Sequence, residues 1–372
     1  MAKRANGEGS IHQRKDGRWA ASISIGRGKR KHFLGHTRAE VAAKLAEALA
    51  EQGRGIPIIS SRQTVAQFLD YWLKSVKGSV RPKTYESYDL NIRRLTPLIG
   101  KGRLSALSPE RVERAYGELV TSGLSKRSVA QAHTVLHNAL KKALQWSLIG
   151  RNPTEAVSVP RPERTEMRTL TEDEVKRLFA ATEGDRFHAL WVLLVTTGLR
   201  LGEATGLKWE DVDFGNGRLF VRRALQRQRG QGLVLVEPKT ARSRRTVYFP
   251  PGTADALRAQ RRLQAEERLR AGRAWQDHGL VFCRSDGRPV EPTNLTPLLK
   301  RALEKAELPQ IRIHDLRHTA ATLHLARGEN PKVVQELLGH STITLTMDTY
   351  SHVIPALHVA AASKMQALFA KG

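Results

Sequence analysis

The chain has a single cysteine, Cys283, and is short of acidic residues: 36 Asp and Glu stand against 62 Lys and Arg in 372 residues, a formal net charge of +26. A lone thiol can form neither an internal disulfide nor a cysteine-based zinc cluster, which excludes a secreted disulfide scaffold and points to a reducing cytoplasm. Long apolar runs are missing too. The most apolar stretch, Ala189 to Leu199, ends at Arg200 and falls far short of the ~20 residues that span a bilayer. The start, MAKRANGEGS, has basic residues with no apolar region after them, so neither a signal peptide nor a membrane partner is expected. The hydrophobic fraction is 40%, enough to build cores and too much for global disorder.

What is abundant is positive charge. It is spread as +7 over residues 1–55, +9 over 56–160 and +10 over 161–372, so no polybasic tail accounts for it. A folded chain that is cationic in every part attracts a polyanion, and with no membrane segment that polyanion is a nucleic acid. At ~150 residues per domain the length predicts two or three domains.

Residues 9–35 read as strands Ser10–Arg14, Trp19–Ile25 and Lys31–Leu34 around the turns Lys15-Asp16-Gly17 and Gly26-Arg27-Gly28. A helix over 38–50 follows, with Thr37 and Glu40 at capping-box spacing. Arg14, Lys15, Arg18, Lys29, Arg30 and Lys31 surround Trp19 and Phe33 on a ribbon narrow enough for a DNA major groove; a solvated strand face explains them equally well. After a linker at 53–61 come four helical segments, Thr64–Val76, Pro82–Leu95, Pro109–Thr121 and Ser125–Ser147, with Ser108 and Ser125 as N-caps. Their polar faces carry Lys83, Arg93, Arg94, Lys126, Arg127, Lys141 and Lys142, and the local charge favours DNA contact.

Residues 151–168, with three prolines, read as a second linker. Beyond it a mixed domain is expected to start at Thr169 with Glu172 in a capping box. Helices at 171–181 and 185–197 lead to strands Arg218–Ala224, Leu233–Pro238 and Arg244–Phe249, then a helix at 254–271, a strand at 279–283, and helices at 293–306, 314–327 and 331–338.

Four stretches of this domain carry chemistry: Thr196-Thr-Gly-Leu-Arg-Leu-Gly-Glu203; Pro238-Lys-Thr240 in a turn between strands; His314-Asp-Leu-Arg-His318; and Leu338-Gly-His340 followed by Tyr350. In that order and at those intervals, over roughly 60–352, the chain resembles the tyrosine recombinases, the family of phage integrases and related site-specific recombinases. Any one motif alone is weak: Arg200 with Glu203 could be a surface ion pair, His314 a core histidine and Tyr350 a packed aromatic.

The residue types suit the chemistry. A phosphodiester under attack gains negative charge, so a site working without metal needs preorganised cations and donors. Arg200 and Arg317 suit bidentate contact with non-bridging oxygens, and His314 and Arg317, three apart, share a helix face. His340 follows a C-capping Gly339. The resemblance implies Tyr350 as nucleophile, giving a 3′-phosphotyrosyl link, and Glu203 as a partner orienting Arg200 or His314. Lys239, with Arg242, Arg244 and Arg245 beside it as DNA-binding residues, is expected to protonate the leaving 5′ oxygen, Lys208 and the arginine cluster at 242–245 being competing cations. No metal or other cofactor is expected, since His314, His340 and Glu203 lack metal-site spacing.

The fold expectation is a multidomain α+β chain: residues 1–55 as a small β-sheet plus helix module binding arm-type DNA, 62–150 as a four-helix domain binding the core site, and 165–372 as a mainly helical catalytic domain with a three-stranded sheet. The resemblance implies an integrase that joins core and arm attachment sites of double-stranded DNA as a homotetramer, aided by DNA-bending or directionality proteins. An apolar stripe in Pro355–Phe369 could dock on its own domain or on a neighbouring subunit. A type IB topoisomerase shares the tyrosine chemistry, and a non-catalytic DNA-binding regulator shares the charge.

Overall fold

The computed structural model describes residues 9–24, 30–53, 63–161, 167–237, 244–340 and 342–344. The chain divides into two compact units, residues 1–164 and 165–372, mostly helical with small sheets.

In the first unit, β1 (Ser10–Gln13), β2 (Trp19–Ser24) and β3 (Arg30–Gly35) form an antiparallel sheet in that order, and α1 (Arg38–Gly53) packs on it. Ala21, Ile23, Val41 and Leu45 make a small core between them. Thr37 Oγ1 accepts the Glu40 N–H at 3.1 Å, while the Glu40 carboxylate reaches past Thr37 to the His36 N–H at 3.0 Å.

Helices α2 (Val65–Val76), α3 (Pro82–Ile99), α4 (Pro109–Thr121) and α5 (Lys126–Gln145) surround a second core that includes Phe68, Leu95, Tyr116 and Leu136. Ser108 and Ser125 cap α4 and α5 as expected, accepting from the N–H groups of Arg111 and Ser128. The expected end of α3 at Leu95 is corrected: the helix runs on through Pro97, whose missing N–H deprives only the carbonyl of exposed Arg93. The start of the expected linker is also folded. A 3₁₀ turn at Pro153–Ala156 buries Asn152 and Thr154, and Thr154 Oγ1 lies 2.9 Å from His137 Nδ1 on α5.

In the second unit the capping box that opens α6 (Glu172–Thr182) lies two residues later than expected. Both Thr169 and Thr171 have a glutamate three residues on, but Leu170 is buried and donates its N–H to Thr319 Oγ1 at 3.1 Å, which leaves Thr171 and Glu174 to form the capping box. The apolar α7 (His188–Thr197) is buried along its length and packs against α6, α9 (Pro251–Ala271) and α11 (Ile313–Ala326). A short α8 (Leu201–Thr205) follows; α10 (Pro292–Lys305) and α12 (Pro331–Leu338) complete the helices among the described residues.

The sheet differs from the expected single three-stranded one. β4 (Val212–Asp213), β5 (Arg218–Val221) and β8 (Arg245–Tyr248) form one antiparallel sheet, with Val221 opposite Arg245. β6 (Ala224–Gln228) and β7 (Gly232–Val236) form a separate pair. The break falls at Arg222-Arg223 because both guanidinium groups turn toward buried Asp211, Arg223 at 2.9 Å and Arg222 at 3.5 Å. The expected strand at 279–283 is reduced to two isolated bridges, Lys208 with Leu280 and Cys283 with Pro289.

Candidate active site

Two helix ends frame the site. α7 stops at Gly198 and α12 at Gly339, both left-handed, with φ of 61° and 64°. A β-carbon at Gly198 would lie 2.7 Å from Leu338 Cδ2, and one at Gly339 would lie 3.1 Å from Arg245 Nη1, so conformation and space both call for glycine. Arg200 is the N-cap of α8, His314 and Arg317 lie in the first two turns of α11, and Arg245 opens β8.

Three consecutive carbonyls at the end of α12 each accept from a different arginine. Arg245 Nε donates to Leu337 O at 2.7 Å, Arg317 Nη2 to Leu338 O at 2.6 Å, and Arg200 Nη2 to Gly339 O at 3.3 Å. The last carbonyls of a helix lack partners within it and carry the negative end of its dipole, so this terminus collects guanidinium groups. Arg317 also donates to Gly198 O at 2.6 Å, linking the two helix ends. Burial divides the three: the Arg200 side chain is 40% exposed, that of Arg245 is 7% exposed, and residue Arg317 is 2% exposed.

Buried Glu203 balances part of this charge. Its carboxylate accepts from the Arg200 N–H at 3.0 Å and Nη1 at 2.8 Å, and from Arg245 Nη2 at 2.9 Å and Nη1 at 3.3 Å. Burial pushes its carboxyl up, but Arg245 and then Arg200 outweigh that and hold it below the ordinary carboxylate value. Of the two partners expected for Glu203, it is Arg200 that it holds.

The histidines sit among these cations. The rings of His314 and His318 meet edge to face, 4.9 Å between centroids. His314 presents its side chain to solvent, yet the protein packed around it, and then Arg317, hold its imidazolium form below the ordinary range. Burial drives His340 down to about 4, with Arg317 and Arg200 the next causes, and drives His318 to about 4 with His314 the next. Burial and the neighbouring cations thus favour the neutral form of all three rings in the free protein. An entering phosphate would offset the neighbouring positive charge and draw protons to them. The arrangement is a cationic cluster whose nearby carboxylates, Glu203 and Asp315, are already engaged, Asp315 with Arg312 at 2.8 Å.

The structure thus brings together Arg200, Glu203, His314, Arg317 and His340. Lys239, Arg242, Tyr350, Lys29 and the 355–369 stripe lie outside the described residues. Arg245, expected as a surface DNA contact, is instead turned inward to Glu203 and Leu337, while Arg244 stays exposed and pairs with Glu237. Arg14 and Arg18 flank Asp16, Lys31 lies over the Phe33 ring, Arg30 is exposed, and Lys83 and Arg93 face Glu86 and Asp89 one turn along α3. Lys15, Lys126, Arg127, Lys141 and Lys142 are exposed, and Arg94 is half-buried beside Asn91. His318 joins the cluster from one turn beyond His314, and that spacing on one helix face is the sequence signal for it.

Residues 168–356 match the model of the phage integrase family, and residues 64–120 match that of the phage integrase N-terminal SAM-like domain. A tyrosine recombinase XerC-like protein of Caldanaerobacter subterraneus is 32% identical over 94% of this chain and 96% of its own length. An integrase of Streptomyces ambofaciens is 30% identical over all of this chain and 99% of its own. Among solved structures, the fold resembles that of the Tn1549 transposon integrase in complex with a circular intermediate DNA, with a TM-score of 0.70 and 24% identity over 82% of this chain and 99% of that one. It also resembles a lambda integrase tetramer bound to a Holliday junction, with a TM-score of 0.59 and 18% identity over 93% of this chain and 96% of that one. The chain belongs to the phage integrase family. It is a tyrosine-type site-specific DNA recombinase. Among the described residues no helix is long and apolar enough to cross a membrane.

Proposed function

We propose that the cluster around the end of α12 holds the scissile phosphate of double-stranded DNA, and that the protein integrates or excises a mobile element by cutting and rejoining strands through a covalent tyrosine link. The observation that carries this is the convergence of Arg200, Arg317, His314 and His340 in one cationic cluster with its carboxylates already paired. Tyr350 Oη attacks phosphorus, its P–O bond forms as the bond to the 5′ oxygen breaks, and the product is a 3′-phosphotyrosyl link with a free 5′ hydroxyl. Arg200 and Arg317 stabilise the charge gained by the non-bridging oxygens, and His314 and His340 donate to the same oxygens. The tyrosine proton passes to solvent during attack, and Lys239 supplies a proton to the departing oxygen. The 5′ hydroxyl of a partner strand reverses these steps and reseals the DNA.

Residues 1–55 serve as an arm-site module, 62–150 bind the core site and 165–372 carry the chemistry. The fold shared with the tetrameric lambda integrase complex supports a homotetramer working on DNA, with DNA-bending or directionality proteins as partners. The test is covalent trapping on a nicked suicide substrate built from attachment-site DNA. The wild-type chain should accumulate a protein–DNA adduct and Tyr350→Phe should bind equally well and form none; an adduct with the Phe variant overturns the nucleophile assignment.

A further inference from the structure

We infer that Arg245 is a positioning residue for strand cleavage: by holding Glu203 and the Leu337 carbonyl together, it fixes Arg200 with its positive charge turned to the phosphate. This rests on the reading of Arg200 as a phosphate ligand. One carboxylate serves two arginines here. Arg245 takes both Glu203 oxygens, at 2.9 and 3.3 Å, from a buried position, whereas Arg200 shares the same carboxylate with a side chain that is 40% exposed. With the negative charge of Glu203 neutralised mainly from behind, Arg200 is oriented by a hydrogen bond and keeps its positive potential on the solvent side. The Arg245 Nε bond to Leu337 O, two residues ahead of the Arg200 bond to Gly339 O, sets α12 and α8 at a fixed spacing. His340 follows directly on Gly339, so the same clamp sets its position.

Removing Arg245 also changes the proton affinity of Glu203. The charged groups facing that carboxylate are Arg245 from β8 and Arg200 from its own helix. From α11, Arg317 and His314 lie near Arg200, and His340 lies beside Arg200, Arg245 and Arg317. β6 meets α8 through Ala224 and Leu225, α7 buries no charged group, and α10 is buried through Leu295, Leu299, Ala302 and Leu303. Without Arg245, burial prevails and Glu203 takes a proton at higher pH, which releases Arg200.

Single-turnover cleavage of the suicide substrate at saturating full-length protein, followed against pH, tests this. Arg245→Met should cut the rate constant by about 10²-fold with unchanged DNA affinity, and the acidic limb of its profile should move to higher pH. Glu203→Gln should abolish that limb shift, and the double variant should lose much less than the product of the two single losses. Arg245→Lys keeps one charge but cannot serve both Glu203 and Leu337, so its loss should be intermediate with the limb little moved; should Arg245→Met fail to fold, this variant decides. A wild-type rate and profile in the folded variants, or losses that multiply, overturn the inference. Arg200→Ala separates the two levels: wild-type cleavage by that variant removes the phosphate reading itself, whereas a loss there beside normal Arg245 variants removes only the positioning role.

Discussion

Arg93 in the helical domain of the first unit has a side chain that is 63% exposed and pairs with Asp89 one turn away on its own helix, whereas Arg245 in the second unit is 7% exposed and donates to groups on two other elements. The first kind of arginine is held by a partner it can leave at little cost, since exposed pairs contribute ~0–1 kcal/mol. Such a cation is suited to exchange its carboxylate for a DNA phosphate and to add affinity that depends on salt. The second kind is fixed by carbonyls and a buried carboxylate and cannot follow a ligand. Its use is geometric: it sets where charge stands before the substrate arrives, which is where electrostatic catalysis gains most.

The largest break in this comparison comes from the nucleophile and its proton donor. Lys239→Ala should slow cleavage by about 10²–10⁴-fold, because an alkoxide leaves phosphorus poorly without a proton. On DNA with sulfur at the bridging 5′ position the same variant should return to near wild type, since a thiolate leaves unaided, while Arg200→Ala should stay slow on both substrates. Rescue of Lys208→Ala instead of Lys239→Ala would move the acid to that other lysine.

A smaller effect is expected at the glycine that frames the site. Gly198→Ala forces a left-handed alanine whose β-carbon meets Leu338 Cδ2 at 2.7 Å. The conformation alone costs about 1–2 kcal/mol, which for a unit of this size lowers the melting temperature by about 2–8 °C. Because the Gly198 carbonyl holds Arg317, cleavage should fall as well, measured at a temperature where the variant is folded. Full cleavage by a destabilised variant would show that this carbonyl matters only for stability.

Acid should act on the two regions unequally. His318 and His340 titrate at about 4 in the folded chain against 6.5 for an ordinary histidine, so between those values the unfolded chain holds more protons and stability falls as pH is lowered through that window. Replacing either ring by Gln should flatten the decline of melting temperature between pH 6.5 and 4. A decline that stays as steep in both variants would place its cause elsewhere. The smallest effect on cleavage belongs to the N-terminal module: deleting residues 1–55 removes +7 of charge and none of the proposed site, so core-site cleavage should persist while integration between full attachment sites is lost.

Much of this was legible along the chain because it is written in local patterns. Caps at Ser108 and Ser125 and the apolar run of α7 need only neighbouring residues to be read, and Arg200, His314, Arg317 and His340 stand in short motifs whose order along the chain marks them. What was not legible depends on distant ones. The start of α6 is decided between two equivalent Thr–Glu pairs by Thr319, and the break between β5 and β6 by Asp211. Arg245 reads as one more cation in a basic cluster until the fold places Glu203 and Leu337 against it. No sequence interval announces that three carbonyls in a row will take three arginines from separate elements.

The division between fixed and exchangeable cations can be measured in one experiment, adduct formation on the suicide substrate at saturating protein with binding followed in parallel against salt. The variants are Arg200→Ala and the triple replacement of Arg93, Lys126 and Arg127 by Ala. The account predicts that Arg200→Ala lowers the saturated rate constant by about 10²–10³-fold and leaves the salt slope nearly intact. It predicts that the triple variant keeps that rate constant and loses a slope of up to ~0.9 for each phosphate contact removed. A saturated rate that collapses in the triple variant, or one that survives in Arg200→Ala, would contradict it.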